Sequence, residues 1–119
     1  MEKGKIKTSI GQIIINKDVI AQYAGCIAME TSGIVGMAMI SMRDGVYKLL
    51  KKESLRKGVD VVVKDNMIYI DFHIIVAYGI NIKTIAENVI SNVCYEVEQF
   101  TGMKVKEVNI YVEGIKMID

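Results

Sequence analysis

The chain has few of the residues that build metal sites or disulfide frameworks, because its 119 residues include two cysteines and one histidine. Cys26 and Cys94 lie far apart, inside segments with helical periodicity, and show no pairing or metal-ligand spacing. A zinc site needs about four Cys, His or carboxylate ligands, and His73 is the only histidine. We therefore expect no metal and no cofactor, and we interpret both thiols as small packing residues in a reducing compartment.

The sequence also lacks a long apolar run and a strong net charge. No stretch approaches the about eighteen apolar residues of a membrane-spanning helix, and the N-terminal lysines lead into a short β-like run rather than a signal-peptide core. Fifteen basic and fourteen acidic side chains give a formal net charge of +1, so no overall field attracts nucleic acid or anionic lipid. We expect a cytoplasmic protein that does not span a membrane.

The composition is that of a folded protein. Hydrophobic residues make up 51% and charged residues 24% of the chain, which argues against disorder. The length suits one core. We therefore predict a single domain over residues 1–119.

The clearest structural signal lies within residues 58–102. Apolar residues alternate over 67–78, which predicts a strand with one apolar face. They recur every three or four residues over 82–100, which predicts a long amphipathic helix. Valines alternate over 59–63, and Asp65–Asn66 is a natural tight-turn pair, so the two strands should form a hairpin.

The flanking segments supply the remaining elements. Residues 34–42 and 105–112 each predict one strand, and Asn16 is placed to cap a helix that ends near Thr31. Residues 6–15 predict a single first strand. Its apolar members are Ile10, Ile13, Ile14 and Ile15. The order β-α-β-β-β-α-β, with two amphipathic helices, predicts an α+β two-layer sandwich whose helices pack on one face of a mixed sheet.

The sheet face opposite the helices is expected to be open. Tyr69, Ile75 and Tyr111 are predicted there, and exposed aromatic and aliphatic residues on one face indicate an interface. These three are therefore candidate partner-binding residues. Asp71 and His73 share that face at the spacing of an acid-oriented general base, but no nucleophile or third ligand is near in sequence. We expect an interface or surface histidine and no catalytic residue.

A basic segment at residues 43–57 has the most distinctive local charge, with six cations against two acidic residues, a balance of +4. It is predicted to be a solvated connector, a docking surface for an acidic protein or anionic membrane, or a set of phosphate contacts to nucleic acid. One aromatic residue, Tyr47, provides little base stacking. The candidate partner-binding residues of this segment are Lys48, Lys51, Lys52, Arg56 and Lys57.

Several sequence blocks occur in the order and spacing of a known family. They are Gly11-Gln12-Ile13-Ile14-Ile15, Asp18-Val19-Ile20-Ala21, Gly33-Ile34-Val35-Gly36-Met37, Gly58-Val59-Asp60-Val61, Tyr78-Gly79-Ile80-Asn81-Ile82, Val97-Glu98-Gln99-Phe100-Thr101-Gly102 and 105–112. Each block alone is mostly glycine and aliphatic residues. Together they run over nearly the whole chain and resemble the bacterial alkaline-shock, or envelope stress response, protein family.

This resemblance implies a small cytoplasmic protein without catalytic residues, linked to cell-envelope homeostasis. It implies protein partners, among them a separate membrane-anchor protein or a lipid-metabolism protein. Self-association into a homo-oligomer is expected instead from the open sheet face and the strand edges. The leading hypothesis is therefore an interaction or adaptor protein that is not an enzyme. The alternative is a small nucleic-acid-binding domain that uses the basic segment.

Overall fold

A computed structural model of the chain describes residues 4–40, 47–49 and 52–117. Within these ranges the chain forms seven strands, two α-helices and one 3-10 helix. The strands are β1 (Gly4–Lys7), β2 (Gln12–Ile15), β3 (Ile34–Ile40), β4 (Tyr47–Leu49), β5 (Val59–Lys64), β6 (Met67–Ala77) and β7 (Lys104–Lys116). The helices are α1 (Lys17–Met29), α2 (Ile82–Thr101) and the 3-10 helix (Lys52–Gly58).

The central strand of the main sheet is β6. One of its edges pairs antiparallel with β5 and then with β3, and its other edge pairs parallel with β7. A short antiparallel pairing joins β3 to β4. The predicted hairpin is confirmed, because Asp65 and Asn66 have φ angles of 52° and 61° and connect β5 to β6 as a two-residue turn. The sheet is mixed, as predicted.

The core lies between the helices and one face of this sheet. The inward side chains of β6 are at most 1% exposed: Ile68, Ile70, Phe72, Ile74 and Val76. They join one cluster with fully buried residues of both helices, Ile20, Ala24 and Ala28 of α1 and Val89, Val93 and Val97 of α2. Both helices therefore cover the same face, which confirms the predicted α+β sandwich.

The helix ends follow from local sequence. The side-chain oxygen of Asn16 accepts a hydrogen bond from the Asp18 backbone N–H at 2.9 Å, and that of Asn81 accepts one from Thr84 at 3.0 Å. Gly102 ends α2 with a φ of 74°, and its N–H donates to the Glu98 carbonyl. The predicted Asn16 cap is confirmed, although α1 ends at Met29, before Thr31.

The first predicted strand is wrong. Residues 6–15 are not one strand, because β1 and β2 pair with each other as a separate antiparallel hairpin. Thr8 closes its turn by donating from its backbone N–H to the Gly11 carbonyl at 2.8 Å. Ile10, interpreted as an apolar strand member, lies at this turn and is 98% exposed. The segment pairs its backbone within itself along the inner edges of β1 and β2, and the Lys5 N–H donates to the Asn66 side-chain oxygen in the β5–β6 turn at 3.2 Å.

Both cysteines behave as packing residues. Cys26 and Cys94 are free and partly buried against the core. Burial, with a smaller effect of the Glu98 charge, raises the pKa of the Cys94 thiol above its ordinary value of 9.0. This thiol is therefore protonated near neutral pH, as expected for a packing residue.

Candidate functional site

The sheet face opposite the helices, called the outer face below, is built from β5, β6 and β7. Successive strand side chains point to opposite faces, so the neighbours of the core residues point outward. The outer face comprises Asp60 and Val62 of β5, Tyr69, Asp71 and His73 of β6, and Glu107, Asn109, Tyr111 and Glu113 of β7. Aromatic, aliphatic and charged side chains are therefore held together on three adjacent strands.

Two of the three predicted outer-face residues are accessible. Tyr111 is 46% exposed and Tyr69 is half-buried, but Ile75 is only 3% exposed. The prediction that Ile75 lies on an open surface is therefore wrong. Pairing with β7 shifts register between Ile74 and Ile75, and pairing with β3 shifts next to the same point. Alternation nevertheless continues through these shifts, because Ile74 and Val76 belong to the core cluster and Ile75 does not. Ile75 is therefore buried on the outer side of the sheet, where β6 lies between β3 and β7.

His73 lies at the centre of the outer face, between two carboxylates. Its Nδ1 is 2.6 Å from a carboxylate oxygen of Glu113 on β7, and its Nε2 is 3.2 Å from one of Asp60 on β5. The ring also stacks on Tyr111, with centroids 5.0 Å apart and planes 14° apart. One side chain thus connects all three strands of the face.

The surroundings of His73 favour its charged form. Burial is the largest influence and lowers its pKa, but the hydrogen bonds and negative charges of Glu113 and Asp60 outweigh it. The pKa of His73 is therefore raised above its ordinary value of 6.5. The His73 and Glu113 side chains are 19% and 20% exposed, whereas that of Asp60 is 70% exposed, so water screens the Glu113 contact least.

Asp71 belongs to a second polar group on the same face. Its carboxylate accepts a hydrogen bond from the Asn109 side-chain amide at 2.9 Å, and the same amide donates to Glu107 at 3.2 Å. The ring nitrogens of His73 contact Asp60 and Glu113 instead. Asp71 and His73, considered from the sequence as a pair, therefore belong to two separate groups of contacts. Asp71 contacts Asn109, and His73 contacts Glu113, so each group joins β6 to β7.

The basic segment is described in part. Lys48 lies in β4 and Lys52 begins the 3-10 helix, whereas Lys51 lies outside the described residues. Arg56 and Lys57 are exposed in the last turn of that helix. The predicted connector therefore contains a short strand and a 3-10 helix.

An open groove of about 550 Å³ runs beside the end of the 3-10 helix, α1 and β5. Its lining mixes both signs of charge, with the cations Lys17, Arg56 and Lys57 next to the carboxylates of Asp18 and Asp60. Asp60 therefore lines this groove and also contacts His73. The groove places part of the basic segment beside the edge of the outer face.

Two further properties concern the part of the chain that the structure describes. No group of three or more His, Cys, Asp or Glu side chains there could hold a metal ion. No helix among those residues is long and apolar enough to cross a membrane.

Sequence reasoning missed Asp60 and Glu113 as partners of His73. The Asp65–Asn66 turn could have identified Asp60 as a partner of His73. A two-residue turn places Asp60 opposite Asp71, and Asp60 is then a diagonal neighbour of His73. Nothing local places Glu113, which reaches His73 only because β7 lies parallel to β6.

Fold and site together define a small α+β protein with a mixed sheet whose outer face carries an ordered polar and aromatic cluster. The chain belongs to the alkaline shock protein 23 family, described as having a cell envelope-related function, and the family match covers residues 5–117. The resemblance seen in the sequence is thereby confirmed.

Curated relatives agree with this assignment. The chain is 43% identical over 114 residues to uncharacterized protein YloU of Bacillus subtilis (strain 168), covering 95% of both chains. It is 37% identical over 115 residues to uncharacterized protein Spy1614 of Streptococcus pyogenes serotype M6, covering 96% of this chain and 95% of that protein. A stress response regulator gls24 homolog of Streptococcus pyogenes serotype M3 is 31% identical over 106 residues, which are 89% of this chain and 59% of that protein. No solved structure matches the chain at a significant level.

Proposed function

We propose that this protein is a non-enzymatic adaptor that acts in cell-envelope homeostasis through protein–protein contacts on its outer face. The observation that carries the proposal is the exposure of large side chains fixed on rigid strands. Val62 is 58% exposed opposite the half-buried Tyr69, and Tyr111 is 46% exposed further along the face, opposite His73. Aromatic side chains anchored in this way are typical of binding surfaces. The family description supplies the cellular process.

The free edge of β7 supports the same proposal. Within the described residues β7 pairs with β6 alone, so one edge of this 13-residue strand has no partner strand. An unpaired strand edge offers backbone N–H and C=O groups to a strand of another chain. Self-association and strand addition by a partner both use this chemistry.

The proposed setting is the cytoplasm, with a membrane-anchor or lipid-metabolism protein as the partner. The protein reaches the membrane through that partner. A relative is named as a stress response regulator homolog, which is compatible with regulation by contact.

A photo-crosslinking experiment tests this function. A photoreactive phenylalanine analogue replaces Tyr111 on the outer face or, as a matched control, Tyr95 on α2, which is 63% exposed. Cells that produce either form are irradiated, and crosslinked proteins are identified. We expect the probe at position 111 to crosslink a second copy or an envelope or lipid-metabolism protein, and the probe at 95 to yield neither.

Two results would contradict the proposal. Equal crosslinking from both positions would show that the outer face has no special role. Recovery dominated by RNA, sensitive to nuclease and lost when Lys51→Glu and Lys52→Glu are combined, would replace the adaptor function with nucleic-acid binding, whose phosphate contacts weaken steeply with salt.

A further inference from the structure

His73 is bracketed by carboxylates from the strands on either side of its own. Asp60 of β5 faces one ring nitrogen and Glu113 of β7 faces the other, at 3.2 and 2.6 Å. The strand register explains why both carboxylates reach the ring. Asp71 of β6 lies opposite Asp60 of β5, and His73 lies opposite Tyr111 of β7. Both carboxylates are therefore diagonal neighbours of the ring, within range of a long side chain.

The two contacts require the charged ring. An ionised carboxylate only accepts hydrogen bonds, and a neutral imidazole has one N–H and one acceptor nitrogen. Only the imidazolium donates to Asp60 and Glu113 at once. A neutral ring can donate to only one of the two carboxylates. Its other nitrogen then presents a lone pair to the second carboxylate, which cannot donate a hydrogen bond.

We propose that His73 is a proton-controlled bridge between β5 and β7, which fixes Asp60 and Glu113 on the outer face when charged and releases Asp60 when neutral. Asp60 is the partner released because its side chain is 70% exposed, so water readily replaces the contact, whereas the Glu113 contact is shielded. The neutral ring keeps its proton on Nδ1 and continues to donate to Glu113.

The other side chains near the ring, Asp71 and Tyr111, do not bridge β5 to β7. On β6, Asp71 lies two residues before His73 and is engaged by Asn109. On β7, Tyr111 covers the ring by stacking. Among the described neighbours on β5, β6 and β7, the charged groups facing the ring are thus carboxylates, so loss of the ring proton leaves negative charge uncompensated.

Release of Asp60 also affects the groove beside the 3-10 helix. Asp60 also lines the groove that contains Lys17 and Lys57. Release of its carboxylate from His73 changes the charge presented beside those two cations. The bridge therefore couples one proton to the electrostatics of both the outer face and the groove, whatever molecule binds there.

A single histidine makes the test unambiguous. Nuclear magnetic resonance of the isotopically labelled full chain follows both ring nitrogens of His73 and the backbone amides of Asp60 and Glu113, between about pH 5 and about pH 9. We expect an imidazolium that persists above pH 6.5, a neutral Nδ1–H form after deprotonation, and an Asp60 amide that moves with the same midpoint. Glu113→Gln should lower this midpoint, and Asp60→Asn should lower it less.

Glu87→Gln, an equivalent change at an exposed position of α2, should leave the midpoint where it is. His73→Gln should abolish the coupled movement of the Asp60 amide. A wild-type midpoint at or below 6.5, or an Asp60 amide that does not follow the ring, would overturn the proposal without reference to any partner. The wild-type titration decides by itself if a variant fails to fold. It is also independent of the crosslinking result, so the two proposals fail separately.

Discussion

Tyr23 of α1 stacks on Phe100 of α2, with ring centroids 4.0 Å apart and planes inclined by 11°. This pair joins the two helices at their solvent side, where Phe100 remains 50% exposed. The buried valines of α2 lie on the sheet side of the same helix. The stacked rings therefore provide a contact between α1 and α2 in addition to their contacts through the main core.

We expect this stack to contribute a measurable coupling energy. Tyr23→Ala, Phe100→Ala and the double variant should give an interaction of about 0.5 to 1.5 kcal/mol in urea unfolding, the range for aromatic pairs. Tyr95→Ala, at a 63% exposed position of α2, should change stability little. Additive single effects would show that the rings do not stabilise each other.

Core and hairpin isoleucines should respond very differently to truncation. Ile70 is 1% exposed in β6, whereas Ile14 is 53% exposed in β2. Ile70→Ala should cost about 2 to 5 kcal/mol because it leaves a cavity, and Ile14→Ala should cost less than about 1 kcal/mol. Chemical denaturation of both variants measures the difference. Similar losses would mean that the hairpin isoleucine is buried in solution.

Substitution at the end of α2 should reveal a backbone requirement. Gly102 has a φ of 74°, so Gly102→Ala should cost about 1 to 2 kcal/mol. At Gly11 an added methyl group meets no atom within 4 Å, and the φ angle is not positive. Gly11→Ala should therefore be close to neutral. Thermal unfolding compares the two, and equal effects would exclude the backbone explanation.

Stability should depend on pH through His73. Its pKa in the folded state is raised above the ordinary 6.5 that applies to the unfolded chain. The folded state is therefore stabilised fully below pH 6.5, and this stabilisation is lost as pH rises through the folded-state pKa. The urea midpoint should fall across that window in the wild type.

The matched variant His73→Gln should show a flatter profile over the same window. The comparison is made below the ordinary Cys94 pKa of 9.0, because the raised pKa of that thiol has a folding contribution that is also lost with rising pH. Parallel profiles for the two proteins would contradict a stabilising charged His73.

Some features of the site could be predicted from the sequence because they depend on strand alternation. The outward positions of Tyr69, His73 and Tyr111 follow directly from the period of two. Ile75 obeys the same pattern, because it lies outside the core cluster that holds Ile74 and Val76, and it is nevertheless only 3% exposed. Local patterns therefore identified the face but not which of its members is accessible.

The sequence by itself determined the two helices, the Asn16 cap, the Asp65–Asn66 hairpin and the apolar face of β6. Each depends on residues close together in the chain, where capping, turn geometry and periodicity act directly. Only the tertiary structure decided that residues 4–15 pair with themselves and that β7 lies parallel to β6. Strand partners and register are set by packing between distant segments, and that packing is what brings Asp60 and Glu113 to the two nitrogens of His73.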